Sequence, residues 1–258
     1  MSQLVTVDLV GNILMIGINR AEKRNAFNLA VIDQFAAAYQ QLADEPAARV
    51  GVVYGHGDHF SAGLDLAEVG PVVASQGAQT LAGDHEYDPF GIWKPQVPKP
   101  VVLALNGLSY TLSIELALAS DIVVAADDVR LRQLEIGRGL MPFGGGTFRG
   151  PAQLGWGNAM RFLLTGEEFG AAYAEQIGLV QEVVPAGEHV NRARQIAELI
   201  AEQSPMAVQA TLANARVGRD GGEGAAVAHI LSTLPQILAS EDAAEGLRSF
   251  IERRPAKF

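Results

Sequence analysis

The chain has 258 residues, 48% of them hydrophobic, which is enough for one large domain or for a domain with an appendage. The absence of cysteine excludes disulfides, thiolate metal sites and a cysteine nucleophile, and a net charge of −10 argues against a nucleic-acid-binding surface. No apolar run approaches the ~20 residues of a membrane span, and the N-terminus lacks the pattern of a secretory signal. We therefore expect a cytoplasmic protein that binds neither nucleic acid nor membrane.

Strands and helices alternate through the first half of the sequence. Gly11 and Asn12 separate two β-rich runs, residues 5–9 and 13–18, and predict a hairpin. Asn28 is a candidate N-cap for a helix that extends to about residue 43. Further strands are predicted at residues 50–54, 101–105 and 122–126. This alternation predicts an α/β fold with much parallel pairing.

Residues 70–100 show little periodicity and are rich in glycine, proline, serine and glutamine. A loop of that length inside a compact domain is usually functional or mobile. Its lone aromatic residues, Tyr87, Phe90 and Trp93, would suit a cover over an apolar ligand. They could equally dock on the body of the protein.

The second half is mainly helical. Strands are predicted at residues 129–134 and at about residues 179–184. Residues Gly144–Gly146 are interpreted as a turn into a helix whose N-terminus faces the active site. Alternatively, these glycines have only a structural role. Ser204, followed by Pro205, and Ser240, followed by two acidic residues, predict the starts of two helices. We therefore predict a core over residues 1–203 and a helical appendage over residues 204–258.

Residues 108–120 contain a single carboxylate, Glu115, among leucine, isoleucine, alanine and small polar residues. Leu112, Leu116 and Ala119 follow helical spacing, which predicts a buried helix that opens near Gly107 with free N–H groups in its first turn. Buried carboxylates are rare unless they are paired or functional. Glu115 is therefore a candidate catalytic residue.

Two further segments could contribute to the same site. Residues 60–65, Phe-Ser-Ala-Gly-Leu-Asp, follow a predicted strand, and Gly63 allows a sharp turn whose N–H groups point outward, as an oxyanion site needs. Many tight turns share this composition. Glu135 lies at the end of a predicted strand, where a carboxylate is more often exposed than catalytic. Neither segment alone decides a function.

Taken in order, five segments resemble the crotonase superfamily and, within it, the enoyl-coenzyme A (CoA) hydratase/isomerase family. They are residues 19–28, 60–65, 99–107, 114–121 and 133–135. Residues 163–166, 174–180 and 250–258 extend the resemblance over nearly the whole chain. It implies an α/β, crotonase-like spiral of ββα units with a C-terminal α-helical trimerisation region, assembled as a homotrimer or a dimer of trimers.

The resemblance also implies the roles of four residues. The two oxyanion-hole amides of the family fall on Leu64 and Leu112, which would act through backbone N–H groups. The two hydratase glutamates fall on Glu115 and Glu135. We assign to Glu115 the activation of a water that attacks the β-carbon, and to Glu135 the delivery of a proton to the α-carbon. The implied reaction is the hydration of a 2-enoyl-CoA thioester.

The positions that match the family's CoA contacts are Arg24, Ala26, Ala62 and Asp65, with Phe250 and Lys257 from a neighbouring subunit. For the cations among them, solvated surface charge is an equally good interpretation. No separate cofactor is implied, because CoA is part of the thioester substrate. No metal is expected either, since the five histidines show no metal-ligand spacing.

Two departures from the family pattern leave alternatives open. Thr111, Leu112 and Ser113 stand where many members have a run of glycines, and Phe143 stands beside the water site where hydratases often have glycine. One alternative is Δ3,Δ2-enoyl-CoA isomerisation, which can run with a single glutamate. The other is a catalytically silent, acyl-CoA-binding trimer.

Overall fold

The computed structural model describes residues 3–258, so Met1 and Ser2 of the predicted core region lie outside the described residues. The strands are β1 (Val5–Val10), β2 (Ile13–Ile18), β3 (Val50–Gly55), β4 (Val101–Leu105), β5 (Leu108–Tyr110), β6 (Ile122–Ala126), β7 (Arg130–Arg132), β8 (Glu168–Gly170) and β9 (Glu182–Val184). The α-helices are α1 (Leu29–Asp44), α2 (Leu66–Gln76), α3 (Leu112–Ala119), α4 (Gly146–Leu154), α5 (Trp156–Thr165), α6 (Ala171–Gln176), α7 (His189–Ala201), α8 (Pro205–Leu238) and α9 (Glu241–Glu252).

Most of the strands form one six-stranded sheet in the order β1-β2-β3-β4-β6-β9. β1 and β2 pair antiparallel as the predicted hairpin, and every other neighbouring pair in this sheet is parallel. A smaller sheet contains β5, β7 and β8. The predicted α/β class with much parallel pairing is therefore confirmed.

Side-chain caps define the starts of three helices. The Asn28 side chain accepts a hydrogen bond from the Val31 N–H at 3.0 Å, and Ser204 and Ser240 cap α8 and α9 in the same way. These caps satisfy N–H groups that have no partner within the helix. α8 is interrupted at Gly222, which has a φ of 81°. No helix among residues 3–258 has the length and apolar character that crossing a membrane would need.

Alternate residues of the large sheet face two separate cores, as the period of a strand requires. Ile16 belongs to the larger core, together with Phe35 of α1 and Leu116 of α3. Met15 belongs to the smaller core on the opposite face, where Ala193 of α7 packs. Both faces of the parallel strands are covered, which explains their nearly continuous apolar sequences.

The predicted start of the buried helix is wrong. Residues 108–110 form β5, which pairs in parallel with β7, and α3 begins only at Leu112. The N–H of Gly107 is therefore not part of a helix and donates to Asp128 Oδ1 at 3.4 Å. A short apolar run does not distinguish strand from helix by periodicity alone, and here pairing with a distant strand decides it.

The prediction of an irregular segment over residues 70–100 is wrong for its first part. Residues up to Gln76 belong to α2, and Ala78–Ala82 form a 3-10 helix. Gly70 and Pro71 lie inside α2, and both residues argue against a helix in the sequence. The strand β8 was not predicted, and β7 is shorter than expected. The three residues of β7 pair with both β5 and β8.

Candidate active site

The predicted catalytic residues line one cavity of about 200 Å³. It lies where the turn at residues 60–65, the start of α3 and the segment over residues 134–143 meet. Its walls are formed by Ala62, Leu64, Leu66, Thr111, Leu112, Glu115, Leu134, Glu135, Arg138, Leu140 and Phe143. Leu64, Leu112, Glu115 and Glu135, which are far apart in sequence, are therefore neighbours in space.

Ser61 fixes the turn that carries Leu64. Its N–H donates to Leu108 O at 3.0 Å and its carbonyl accepts from the Tyr110 N–H at 2.9 Å, so the turn continues from β5. The Ser61 hydroxyl donates to Asn25 O at 2.8 Å and accepts from the Gly63 N–H at 3.0 Å. The role of Ser61 was not identified from the sequence, because Asn25, Leu108 and Tyr110, three of its partners, lie in other segments.

The backbone N–H groups of Leu64 and Leu112 donate no hydrogen bond to any other residue that the structure describes. Leu112 is the first residue of α3, where N–H groups have no intrahelical partner and the helix dipole favours negative charge. Both residues line the cavity. Two free donors can stabilise a negative oxygen, and each such donor contributes about 3 kcal/mol in known enzymes.

Thr111, which directly precedes Leu112, has an unusual backbone conformation with φ 51° and ψ −106°. β-Branched residues rarely adopt a positive φ, and such strain often occurs at functional sites. The Thr111 hydroxyl is buried and has no hydrogen-bond partner within residues 3–258. The position at which the sequence departs from the family's glycines is therefore strained.

Glu115 is 1% exposed and is held by the start of α4. Its Oε1 accepts hydrogen bonds from the N–H groups of Gly144 at 2.7 Å and of Gly146 at 3.0 Å. A Cβ on Gly144 would lie 2.7 Å from Glu115 Oε2, so a larger residue there would displace the Glu115 carboxylate. The expectation that these glycines turn into a helix facing the site is confirmed.

Burial raises the pKa of Glu115 from its ordinary value of 4.5 to about 7. The N–H donors of Gly146 and Gly144 oppose this shift, and the neighbouring charge of Glu135 adds to it. Both protonation states of Glu115 are therefore accessible near neutral pH. A general base needs this property.

Glu135 opens the 3-10 helix Glu135–Arg138, whereas the preceding strand β7 ends at Arg132. Its Oε1 accepts from Gln133 Nε2 at 3.2 Å. Its Oε2 is buried without a hydrogen-bond partner among the described residues. Burial raises the pKa of Glu135, which favours the protonated form. One oxygen of this carboxyl is therefore available for proton transfer.

Phe143 and Leu112 separate the main cavity from a second, apolar one of about 30 Å³, which Phe90 and Trp93 also line. These two aromatic residues thus line an apolar space, as one of the two sequence interpretations proposed. Tyr87 and Phe90 also pack against the large core, as the other interpretation proposed. The N–H groups of Phe90, Ile92 and Trp93 donate to the buried carboxylate of Asp88 and hold the covering segment in place.

The four predicted CoA-binding positions of the first half lie together beside the cavity. The carbonyl of Arg24 accepts from the Ala62 N–H at 2.8 Å. Arg20 connects Ala26 and Asp65, because its Nη1 donates to Ala26 O and to Asp65 Oδ2, each at 2.9 Å. Arg20 was not identified from the sequence. The Arg24 side chain is exposed and makes no hydrogen bond or ion pair within residues 3–258.

The two predicted C-terminal contacts lie elsewhere. Phe250 is 82% exposed, and Lys257 is tied through its backbone N–H to Glu245. The neighbouring carbonyl of Phe258 accepts from Arg49, which directly precedes β3, whereas the turn at residues 60–65 follows the opposite end of that strand. Phe250 and Lys257 do not line the cavity of their own chain, and their supply by a neighbouring subunit stays a prediction.

Comparison with known proteins decides the family. Residues 9–258 match the family model described as enoyl-CoA hydratase/isomerase. The chain belongs to the enoyl-CoA hydratase/isomerase family. Among solved structures, it is similar to a probable enoyl-CoA hydratase/isomerase from Mycobacterium abscessus, with a TM-score of 0.95 and 42% identity over 99% of this chain and 98% of that one. An enoyl-CoA hydratase from Mycobacterium tuberculosis H37Rv has a TM-score of 0.89 and 32% identity over the same shares.

Two proteins with CoA-dependent hydratase or dehydratase names are also similar to this chain over nearly its whole length. The 2,3-dehydroadipyl-CoA hydratase of Escherichia coli K12 is 32% identical over 100% of this chain and 99% of its own. The carnitinyl-CoA dehydratase of Proteus mirabilis HI4320 is 32% identical over 98% of this chain and 97% of its own. The crotonase-like α/β fold with a C-terminal helical region is confirmed. The chain is an enzyme of the enoyl-CoA hydratase/isomerase type.

Proposed function

We propose that this protein is an enoyl-CoA hydratase, which adds water across the 2,3-double bond of a 2-enoyl-CoA thioester. The observation that carries the proposal is that two carboxyl groups, Glu115 and Glu135, share one cavity with the free N–H groups of Leu64 and Leu112. Relatives named as a 2,3-dehydroadipyl-CoA hydratase and a carnitinyl-CoA dehydratase support a reaction that adds or removes water.

In the proposed mechanism, the thioester carbonyl oxygen accepts hydrogen bonds from Leu64 and Leu112. These bonds draw electrons toward the oxygen and make the β-carbon electrophilic. As water adds, negative charge develops on that oxygen, and the two fixed donors stabilise it. The donors are most effective in the transition state, when the charge is largest.

Glu115 and Glu135 then move the two protons. Ionised Glu115 takes a proton from water while the water oxygen bonds to the β-carbon and the double-bond electrons form an enolate. Protonated Glu135 gives its proton to the α-carbon as the enolate collapses. The N–H groups of Gly144 and Gly146 hold Glu115 in position, and the unpartnered Oε2 of Glu135 suits a proton donor.

The substrate would bind between two subunits. We propose that the CoA moiety contacts Arg24, Ala26, Ala62 and Asp65 of one chain and Phe250 and Lys257 of its neighbour, with no separate cofactor. Residues 204–258 would then form the oligomerisation region of a homotrimer or a dimer of trimers, beside a core over residues 1–203. Exposed apolar side chains in this region, including Leu231, Leu247 and Ile251, support an interface there.

Isomerisation of a 3-enoyl-CoA is the second candidate, and the position of Phe143 favours it. Phe143 lines the same cavity as Glu115, and a phenyl ring there leaves less room for an attacking water than the glycine of many hydratases would. An isomerase needs no such water, since one glutamate can move a proton between carbons.

Separate incubations with a 2-enoyl-CoA and a 3-enoyl-CoA test the proposal. A hydratase converts the 2-enoyl thioester into a 3-hydroxyacyl product that is heavier by one water and has lost the conjugated enoyl absorbance. An isomerase instead generates that absorbance from the 3-enoyl thioester. Tight binding of both thioesters without turnover of either would support the silent binding trimer and contradict the proposed enzyme.

A further inference from the structure

Arg138 is a cation in the wall of the catalytic cavity that the hydration mechanism does not use. It ends the 3-10 helix Glu135–Arg138 and lines the cavity beside Leu134 and Leu140. Apart from Thr111 and the two glutamates, the other lining residues are apolar. A 2-enoyl chain made only of carbon and hydrogen offers nothing for a guanidinium to bind.

Arg138 is exposed, and its side chain has no hydrogen-bond or ion-pair partner among the described residues. Most arginine side chains of this chain donate hydrogen bonds or form ion pairs. Within residues 3–258 the exceptions are Arg24, Arg138 and Arg253. Arg138 follows Glu135 by three residues, yet the two form no ion pair. Its guanidinium is therefore free to bind a ligand.

A second guanidinium shares a cavity with Arg138. An adjoining cavity of about 310 Å³ shares Leu134 and Arg138 with the catalytic cavity and is also lined by Arg132. Arg132 uses its Nε to donate to Gly166 O at 2.6 Å. Its terminal nitrogens have no acceptor among the residues described. Arg132 lies opposite Glu168 in the β7–β8 ladder, but the carboxylate of Glu168 is engaged by Arg130 and Tyr110.

We propose that Arg138 binds a carboxylate at the far end of the acyl chain, so that 2-enoyl-CoA thioesters of dicarboxylic acids are the preferred substrate class. The inference rests on the proposed hydratase function and deepens it. An acyl carboxylate passing Glu115 and Glu135 in a chain of net charge −10 needs a counter-charge. An arginine with no internal partner provides one, and its planar fork matches a carboxylate.

The test compares two thioesters of equal chain length, 5-carboxy-2-pentenoyl-CoA and its ω-methyl ester, in wild type and in Arg138→Leu. Wild type is expected to hydrate the acid at least about tenfold more efficiently in kcat/KM, the factor that a charge-assisted hydrogen bond supplies. Arg138→Leu should lower kcat/KM for the acid more than for the ester, so that the ratio of acid to ester falls toward one. Arg138→Lys, which keeps the charge but loses the fork, should give an intermediate ratio.

Arg194→Leu is the matched control, because Arg194 lies on α7, lines neither cavity and, among the described residues, forms an ion pair with Glu198 alone. It should leave the ratio of acid to ester unchanged. An equal loss on both thioesters in Arg138→Leu would place the contact on CoA or on folding and would overturn the inference, as would an unchanged ratio. Failure of wild type to hydrate either thioester would instead overturn the proposed hydratase function.

Discussion

Gly63 and Thr111, the residues that directly precede the two candidate oxyanion donors, pack closely against each other. A Cβ placed on Gly63 would lie 2.0 Å from Thr111 Oγ1. Both residues have a positive φ, 95° at Gly63 and 51° at Thr111. The positions of the Leu64 and Leu112 N–H groups are therefore coupled through this contact, and a change at either residue should be detected in activity.

Gly63→Ala should lower hydratase activity by about 100-fold, which is the cost of losing one oxyanion donor. The added methyl group collides with Thr111 and is also disfavoured by the positive φ. Gly70→Ala is a suitable control, because no atom lies within 4 Å of a Cβ at that position of α2. The measurement is kcat with a 2-enoyl-CoA, alongside circular dichroism. Equal activity of the two variants would contradict the coupling.

Thr111→Gly should be more stable than Thr111→Ala by about 1–2 kcal/mol, although alanine is normally the more stabilising residue. The alanine variant keeps the Cβ that strains this conformation, whereas glycine adopts it freely. Urea denaturation of both variants at one protein concentration measures the difference in the free energy of unfolding. If alanine proved more stable than glycine at residue 111, the strain would be absent.

Glu115→Gln should become more stable relative to wild type as the pH rises. Because burial raises the pKa of Glu115 from 4.5 to about 7, the folded wild type holds this proton more tightly than the unfolded chain. The resulting stability is present below pH 4.5 and is lost as the pH rises through 7. At roughly 1.4 kcal/mol per pKa unit, the loss amounts to about 3 kcal/mol.

Glutamine has no such titration, and its side-chain oxygen can still accept from Gly144 and Gly146. Urea denaturation of wild type and Glu115→Gln at pH 5 and pH 8, at equal protein concentration, gives the two differences in the free energy of unfolding. A difference that did not depend on pH would show that Glu115 titrates normally.

Local chemistry made several elements predictable from sequence. Asn28, Ser204 and Ser240 cap helices through side chains that reach N–H groups three residues away, so the signal and the structure lie in the same segment. The hairpin turn at Gly11 was predictable for the same reason, because the turn residues lie between the two strands that they connect. The burial of Glu115 was also predictable, because its helix carries no other charge.

Contacts between distant segments were not predictable in this way. Tyr110 belongs to a strand rather than a helix because it pairs with Arg132 of β7 and donates its N–H to Ser61 O. The two N–H groups that hold Glu115 come from Gly144 and Gly146, about 30 residues along the chain. The resemblance brought Glu115 and Glu135 together, but their hydrogen bonds and the strain at Thr111 required coordinates.

The central claim is that Glu115 and Glu135 act together on one substrate, and steady-state hydration of a 2-enoyl-CoA by Glu115→Gln and Glu135→Gln tests it most directly. Each substitution keeps the shape of the side chain but removes its ability to accept or donate the proton. General acid–base catalysis by one such group raises the reaction rate about 10²–10⁴-fold. We expect each variant to lose at least about 100-fold in kcat, with unchanged circular dichroism and unchanged affinity for an acyl-CoA. Wild-type hydration by either variant would contradict the two-glutamate mechanism.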